Sequence, residues 1–178
     1  MSDTSLTKRH IESTILSADA IYVGGGNTLK MMTIWRKLGV DSMLMLAYQR
    51  GAVLSGISAG AICWFDYGNS DSRKFTSGSQ ILLKVTGLGI IDALLCPHYD
   101  SEPRRQADLK RMMKTTSKVA IALDNCAAIE IVDESYRIIT SKPTAKAYKV
   151  YWKNGQYFIE EIPASESYSD LSSLIAKK

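Results

Sequence analysis

The chain reads as an α/β fold: a doubly wound, mostly parallel sheet followed by C-terminal antiparallel hairpins. Three observations lead to this. Short apolar runs at 20–23, 53–57, 91–96 and 119–123 alternate with stretches of helical period, which is the pattern of strand–helix–strand units. Each run stops at glycine, serine, proline or an Asp-Asn pair, as a buried strand does where it enters a loop. Beyond residue 127 apolar and polar residues alternate between Asp133-Glu134 and Asn154-Gly155, the signature of hairpins.

The elements follow in order. Residues 4–17 place Ile11, Ile15 and Leu16 at helical spacing behind Ser, Thr and Asp, which predicts a helix. Ala20-Ile21-Tyr22-Val23 is a buried strand entering Gly24-Gly25-Gly26. Asn27 and Thr28 suit the cap of a helix to about residue 37, and a second helix covers 41–49. Val53–Ile57 is the next strand, with a helix at 59–64. Residues 65–90 read as an irregular insert with room for a short strand. The third strand, 91–96, ends at Pro97-His98-Tyr99 and is followed by a helix at 103–115. The fourth, 119–123, ends at Asp124-Asn125. Hairpin strands are expected at 128–132, 136–140, 145–152 and 157–162. The Ser-rich stretch 165–173 leads into a short terminal helix or a frayed tail. With no repeat and no linker, the 178 residues read as a single domain, 1–178.

Composition narrows the function classes. The chain is 46% hydrophobic and 22% charged, a globular balance. Its formal net charge is +4. The densest basic group, Arg104, Arg105, Lys110, Arg111 and Lys114, interleaves with acids and has no aromatic stripe. That is a solvated helix face, and no nucleic-acid partner is expected. Three cysteines without a Cys-x-x-Cys argue against a disulfide framework and against a zinc site, and suit a reducing compartment. The first residues lack an apolar signal core, and no run reaches transmembrane length. The expectation is a soluble, cytoplasmic protein with no membrane partner.

The chemistry concentrates at four strand ends, where open α/β sheets build their sites. Gly56-Ile57-Ser58-Ala59-Gly60, between a strand and a helix, has the form of a nucleophile elbow: small neighbours permit a tight turn that lifts the serine hydroxyl above the sheet. A serine needs a base. Of the two histidines, His10 falls in the leading helix and His98 at a strand end. The base needs a partner to orient it, and Asp124 and Asn125 stand at the next strand end. A carboxylate would also stabilise an imidazolium; an amide oxygen would fix the tautomer alone. Bare amides of Gly25 or Gly26, together with that of Ala59, suit an oxyanion hole. A phosphate cradle fits less well, because the loop lacks the last glycine of G-x-G-x-x-G and no Gly-Lys-Ser/Thr follows. Cys63 and Cys96 read as core residues, and no cysteine occupies the elbow. Nothing in the pattern calls for a metal or a cofactor.

Taken together and in this order, Tyr22-Val23-Gly24-Gly25-Gly26-Asn27-Thr28, Gly56-Ile57-Ser58-Ala59-Gly60-Ala61 and Pro97-His98-Tyr99 resemble peptidase E and its relatives. These are the aspartyl dipeptidases and cyanophycinases of the class I glutamine-amidotransferase-like, flavodoxin-like fold. The resemblance runs from about residue 18 to 140. It implies Ser58 as nucleophile, His98 as base, and oxyanion donors from the glycine loop and Ala59. Members commonly carry Asp-Glu after the last parallel strand. This chain has Asp124-Asn125, so the glutamate position falls on Asn125, and strand alternation should aim only one of the pair at His98.

The resemblance also implies a small peptide substrate with an N-terminal aspartate, held by Asn27, Arg73, Lys74, Arg104 or Arg105. The family has two more strand–helix units ahead of the glycine loop; either a shorter sheet suffices here, a partner covers the exposed sheet edge, or the sequence is an incomplete open reading frame, and the hazard of a bare edge leans the expectation towards a homodimer. The missing carboxylate leaves a second reading open: a non-catalytic module on the same fold that binds a small acidic ligand.

Overall fold

A computed structural model of the chain describes residues 7–101 and 104–177. The elements run α1 (Lys8–Leu16), β1 (Ala20–Val23), α2 (Thr28–Leu38), α3 (Val40–Gln49), β2 (Val53–Gly56), α4 (Ala59–Ile62), β3 (Phe65–Ser70), α5 (Ser72–Ser77), β4 (Leu83–Thr86), β5 (Ile91–Cys96), α6 (Arg105–Met113), β6 (Ala120–Leu123), β7 (Ala127–Val132), β8 (Ser135–Thr140), β9 (Ala147–Lys153), β10 (Gln156–Ile162), β11 (Ser169–Asp170) and α7 (Leu171–Ile175).

Six strands form the main sheet in the order β10-β9-β6-β5-β3-β4. Its centre is parallel, with β6, β5 and β3 running together, and its two flanks are antiparallel. The central strands are buried on both faces, as parallel strands between layers must be. Alternation along β5 and β6 sends Leu95 and Ile121 into a core with Met32, Leu44, Ile62 and Ile138. It sends Leu94, Cys96, Ala120 and Ala122 to the other face, against Leu109, Met112 and Met113 of α6. The β9–β10 hairpin turns at Asn154-Gly155 and lies against β6. The β7–β8 hairpin forms a separate sheet with β11 and packs its Tyr136 and Ile138 into the first of these cores. No helix among the described residues is long and apolar enough to cross a membrane.

Two expectations are corrected. The 65–90 region is not an irregular insert: β3 is a central strand, parallel to β5 and paired with β4. Its sequence, Phe-Asp-Tyr-Gly-Asn-Ser, lacks β-branched residues, and tertiary packing overrides that poor propensity. Gly68 shows why: a Cβ there would lie 2.1 Å from Ile62 Cγ2, so α4 sits directly on the strand.

The second correction concerns the elbow strand. The four strand ends do not belong to one hydrogen-bonded sheet, because β2 pairs only with β1, in a separate parallel ladder. After the short α4 the chain enters β3 at once, and the segment after β4 closes over the junction. There Leu88 N–H donates to Cys63 O and Ile91 N–H to Trp64 O. One face of the β1–β2 ladder is open, with Tyr22 68% and Val53 64% exposed.

Candidate active site

The elbow is built from backbone contact. Ser58 has φ 54° and ψ −113°, a conformation that costs a non-glycine residue on the order of 1–3 kcal/mol and persists only when its surroundings hold it. They do. Ile57 N–H donates to Val23 O (3.1 Å), and the amides of Ala61 and Ile62 donate to Ser58 O (3.0 and 2.9 Å). The flanking glycines are steric requirements. A Cβ on Gly56 would lie 2.2 Å from Gly60 O, and one on Gly60 would lie 2.0 Å from Val23 O. So α4 rests backbone to backbone on the end of β1, and the hydroxyl-bearing residue is pushed outward between them.

The glycine loop packs onto this turn. A Cβ on Gly25 would come within 3.5 Å of Ser58 Cβ. Gly26 has φ 146°, a region open to glycine. The amides of Gly25, Gly26 and Ala59 donate to no described residue. Asn27, expected as a substrate contact, is engaged at both ends of its amide. Its Oδ1 caps α2 by accepting from Lys30 N (3.0 Å), and its Nδ2 donates to Ser72 O (3.2 Å).

His98 follows β5 with φ 57°. Its Nδ1 lies 2.7 Å from Asn125 Oδ1. An amide oxygen only accepts, so a neutral ring carries its proton on Nδ1 and keeps the Nε2 lone pair free. Asp124 points elsewhere. Its Oδ2 accepts from Lys146 N (3.0 Å), and burial pushes its carboxyl above the usual carboxylate range. Asp100, which the sequence reading passed over, accepts the Asn125 backbone N–H at 2.8 Å. No hydrogen bond joins the Ser58 hydroxyl to His98 among the described residues.

A chain of contacts links the two halves. Ser70, at the end of β3, donates its hydroxyl to Thr28 Oγ1 (3.0 Å) and pairs with Ser72 Oγ (2.8 Å), which accepts from Leu29 N (3.0 Å). Next along β3, Asn69 accepts from Cys96 Sγ (3.8 Å), two residues before His98. Asn69 also receives Arg105 Nη1 on its backbone oxygen (2.9 Å) and its Oδ1 (3.1 Å).

Arg105 is 2% exposed, so the reading of the 104–114 cluster as a solvated face fails at this residue. Arg104, at the start of α6, and Arg73 and Lys74, in the first turn of α5, are exposed. The sequence signal for the buried serine cluster was faint: Asn-Ser-Asp-Ser looks like loop composition. Burial pushes the Cys63 thiol up to about 12, so it stays protonated and inert as a nucleophile. No group of three or more His, Cys, Asp or Glu among the described residues could hold a metal ion.

Comparison with known proteins bears on this arrangement. The chain is 37% identical over 158 residues to the uncharacterized peptidase YgaJ of Bacillus subtilis, covering 88% of this chain and 65% of that protein. It thus spans about two thirds of that relative's length. Two crystal structures share the fold. One is of a Listeria monocytogenes EGD-e protein named as a candidate peptidase E (TM-score 0.61, 21% identity, 78% of this chain and 67% of that one). The other is of a peptidase from an acI-B1 Actinobacterium (TM-score 0.62, 17% identity, 91% and 63%). At these identities the likeness carries the α/β arrangement of the class I glutamine-amidotransferase-like fold and nothing finer. The model of peptidase family S51 matches residues 1–139, the stretch that holds the elbow, the histidine loop and Asn125, and the chain therefore belongs to peptidase family S51, the peptidase E family that its motifs resemble.

Proposed function

We propose that the chain is a serine peptidase acting on short peptides, with Ser58, His98 and Asn125 as its catalytic set. The observation that carries this reading is the strained Ser58 turn, with its hydroxyl unengaged and the free amide of Ala59 beside it. Ser58 Oγ attacks the scissile carbonyl carbon while His98 Nε2 takes the hydroxyl proton. The negative oxygen is met by the amides of Ala59 and of Gly25 or Gly26. The C–N bond then breaks, His98 hands its proton to the leaving amine, and water repeats the sequence on the ester. Asn125 holds the ring in the tautomer this requires. Asp124, engaged with Lys146, has no part in it.

Arg73, Lys74 and Arg104 are the proposed contacts for an acidic substrate side chain. An Arg fork suits a carboxylate, which favours dipeptides with an N-terminal aspartate. The unpaired edge of the two-stranded β1–β2 ladder is the proposed contact of a homodimer.

The test is covalent. A fluorophosphonate probe should label the protein at Ser58 and leave Ser58→Ala unlabelled; equal labelling of both would end the serine reading. Asp-Xaa dipeptides should yield free aspartate. A thermal shift with these dipeptides but no turnover would instead favour the acidic-ligand module.

The position of Asn125 makes a second expectation. Asn125→Asp would keep an acceptor on Nδ1 and add a charge that stabilises the imidazolium. In a known triad the reverse change lowers kcat by about 10⁴ through the wrong tautomer; Asn125 already sets the right one, so only the charge is gained. Here a rise in kcat of roughly tenfold or more is expected. Unchanged or lower kcat would show that Asn125 does not act on His98.

A further inference from the structure

We infer that Asp100 is a positioning residue for His98, acting through the backbone of Asn125. This rests on the reading of His98 as the base. Both partners in the 2.7 Å contact between His98 Nδ1 and Asn125 Oδ1 stand in turns with unusual backbone, His98 half-buried between Pro97 and Tyr99, and Asn125 exposed. His98 itself has φ 57°, and Cys126, next to Asn125, has φ 68°. Neither is glycine, so both turns carry strain that something must hold.

The fixed points around them are few. On one side Ser101 N–H closes the 98–101 turn onto His98 O (3.3 Å), and Tyr99 N–H reaches Leu123 O (3.0 Å). On the other, Ala127 N–H donates to Asp124 O (3.2 Å) and Ser141 N–H to Cys126 O (2.9 Å). These hydrogen bonds fix the residues on either side of Asn125 and leave its own amide to be met from across the gap. Asp100 Oδ1 meets it at 2.8 Å. Apart from the His98–Asn125 contact itself, this is the one hydrogen bond among the described residues that ties the Asn125 residue to the histidine loop.

A backbone N–H bonded to a carboxylate is short, strong and directional. Asp100 lies two residues beyond His98 on the same closed turn, so its grip on Asn125 N–H sets where the Asn125 amide stands relative to the ring. Losing it leaves Asp124 and Cys126 held but frees the Asn125 peptide between them to rotate. A displacement near 1 Å at a catalytic group costs on the order of a hundredfold in rate.

The test combines kinetics with a readout that needs no substrate. The chain has two histidines, so H10Q leaves one imidazole to observe. In the H10Q protein, long-range proton–nitrogen NMR should show His98 as a single Nδ1–H tautomer. Adding Asp100→Ala should turn this into a mixture and lower kcat roughly ten- to hundredfold, with KM within about twofold because Asp100 touches no substrate. Asp100→Asn retains an oxygen that accepts the Asn125 N–H, and should keep the single tautomer and a kcat within about threefold of the parent.

If Asp100→Ala keeps both the single tautomer and the parent kcat, the inference is wrong even where Ser58-dependent hydrolysis stands. If Asp100→Ala scrambles the tautomer in a protein that shows no hydrolysis at all, Asp100 positions the ring as inferred and it is the peptidase reading that fails.

Discussion

Ser58→Ala should lower peptide hydrolysis by a factor on the order of 10⁶ while leaving the fold and its melting temperature close to those of the parent. The two halves of this expectation have separate grounds. Removing the nucleophile of a Ser-His set typically leaves only what binding and the oxyanion donors supply, which sets the size of the loss. The fold is indifferent because the Ser58 hydroxyl makes no hydrogen bond to a described residue, so its removal orphans no buried partner. Alanine keeps the Cβ and therefore the same strained backbone, and the hydrogen bonds that Ser58 O accepts from Ala61 and Ile62 stay in place. The measurement is kcat/KM on a dipeptide beside a thermal melt of the same sample. Residual turnover within tenfold of the parent would mean that the nucleophile is elsewhere. Cys63 is already disfavoured as that substitute, since burial holds its thiol protonated. A large fall in melting temperature would instead mean that the hydroxyl has a structural partner.

Much of the fold was legible because its determinants are local. The strands at 20–23, 53–56, 91–96 and 120–123 are apolar runs cut by glycine, proline or Asp-Asn, and Asn154-Gly155 announced the β9–β10 turn. What local sequence hides is everything settled by a distant partner. Phe65–Ser70 has no β-branched residue, yet it forms a strand between β5 and β4 because Gly68 admits Ile62 and buried hydroxyls at its end meet Thr28. Arg105 stood in a run of charges that looked solvated, and its hydrogen bonds to Asn69 of β3, distant in sequence, accompany its burial. The site divides the same way. The small residues around Ser58 are a local steric demand and could be read. The pairing of His98 with Asn125 depends on which way each of two adjacent side chains turns, and here the Lys146 amide holds Asp124 away. The part played by Asp100 depends on two loops meeting, for which a single sequence carries no signal.

Gly60→Ala should be the most damaging single methyl added to this molecule. The new Cβ would lie 2.0 Å from Val23 O and 2.8 Å from Gly24 O. Both are backbone atoms, and no rotamer change can move them aside. Overpacking of this kind costs about 1–3 kcal/mol when side chains can yield, and more when they cannot, so about 3 kcal/mol or more is expected here. For a chain of this size that corresponds to a fall in melting temperature of roughly 6–12 °C. The damage should also reach the chemistry, since the contact being forced apart is the one that sets Ser58 between β1 and α4, and fluorophosphonate labelling should fall with stability. Gly25→Ala supplies the contrast. Its Cβ would meet Ser58 Cβ at 3.5 Å, an ordinary van der Waals distance, so the melt should hardly move even if labelling slows through crowding. Equal melting of Gly60→Ala and the parent would mean that α4 does not rest on β1 as described. The strain at Ser58 would then have lost its support, and with it the physical reason for calling that turn a nucleophile elbow.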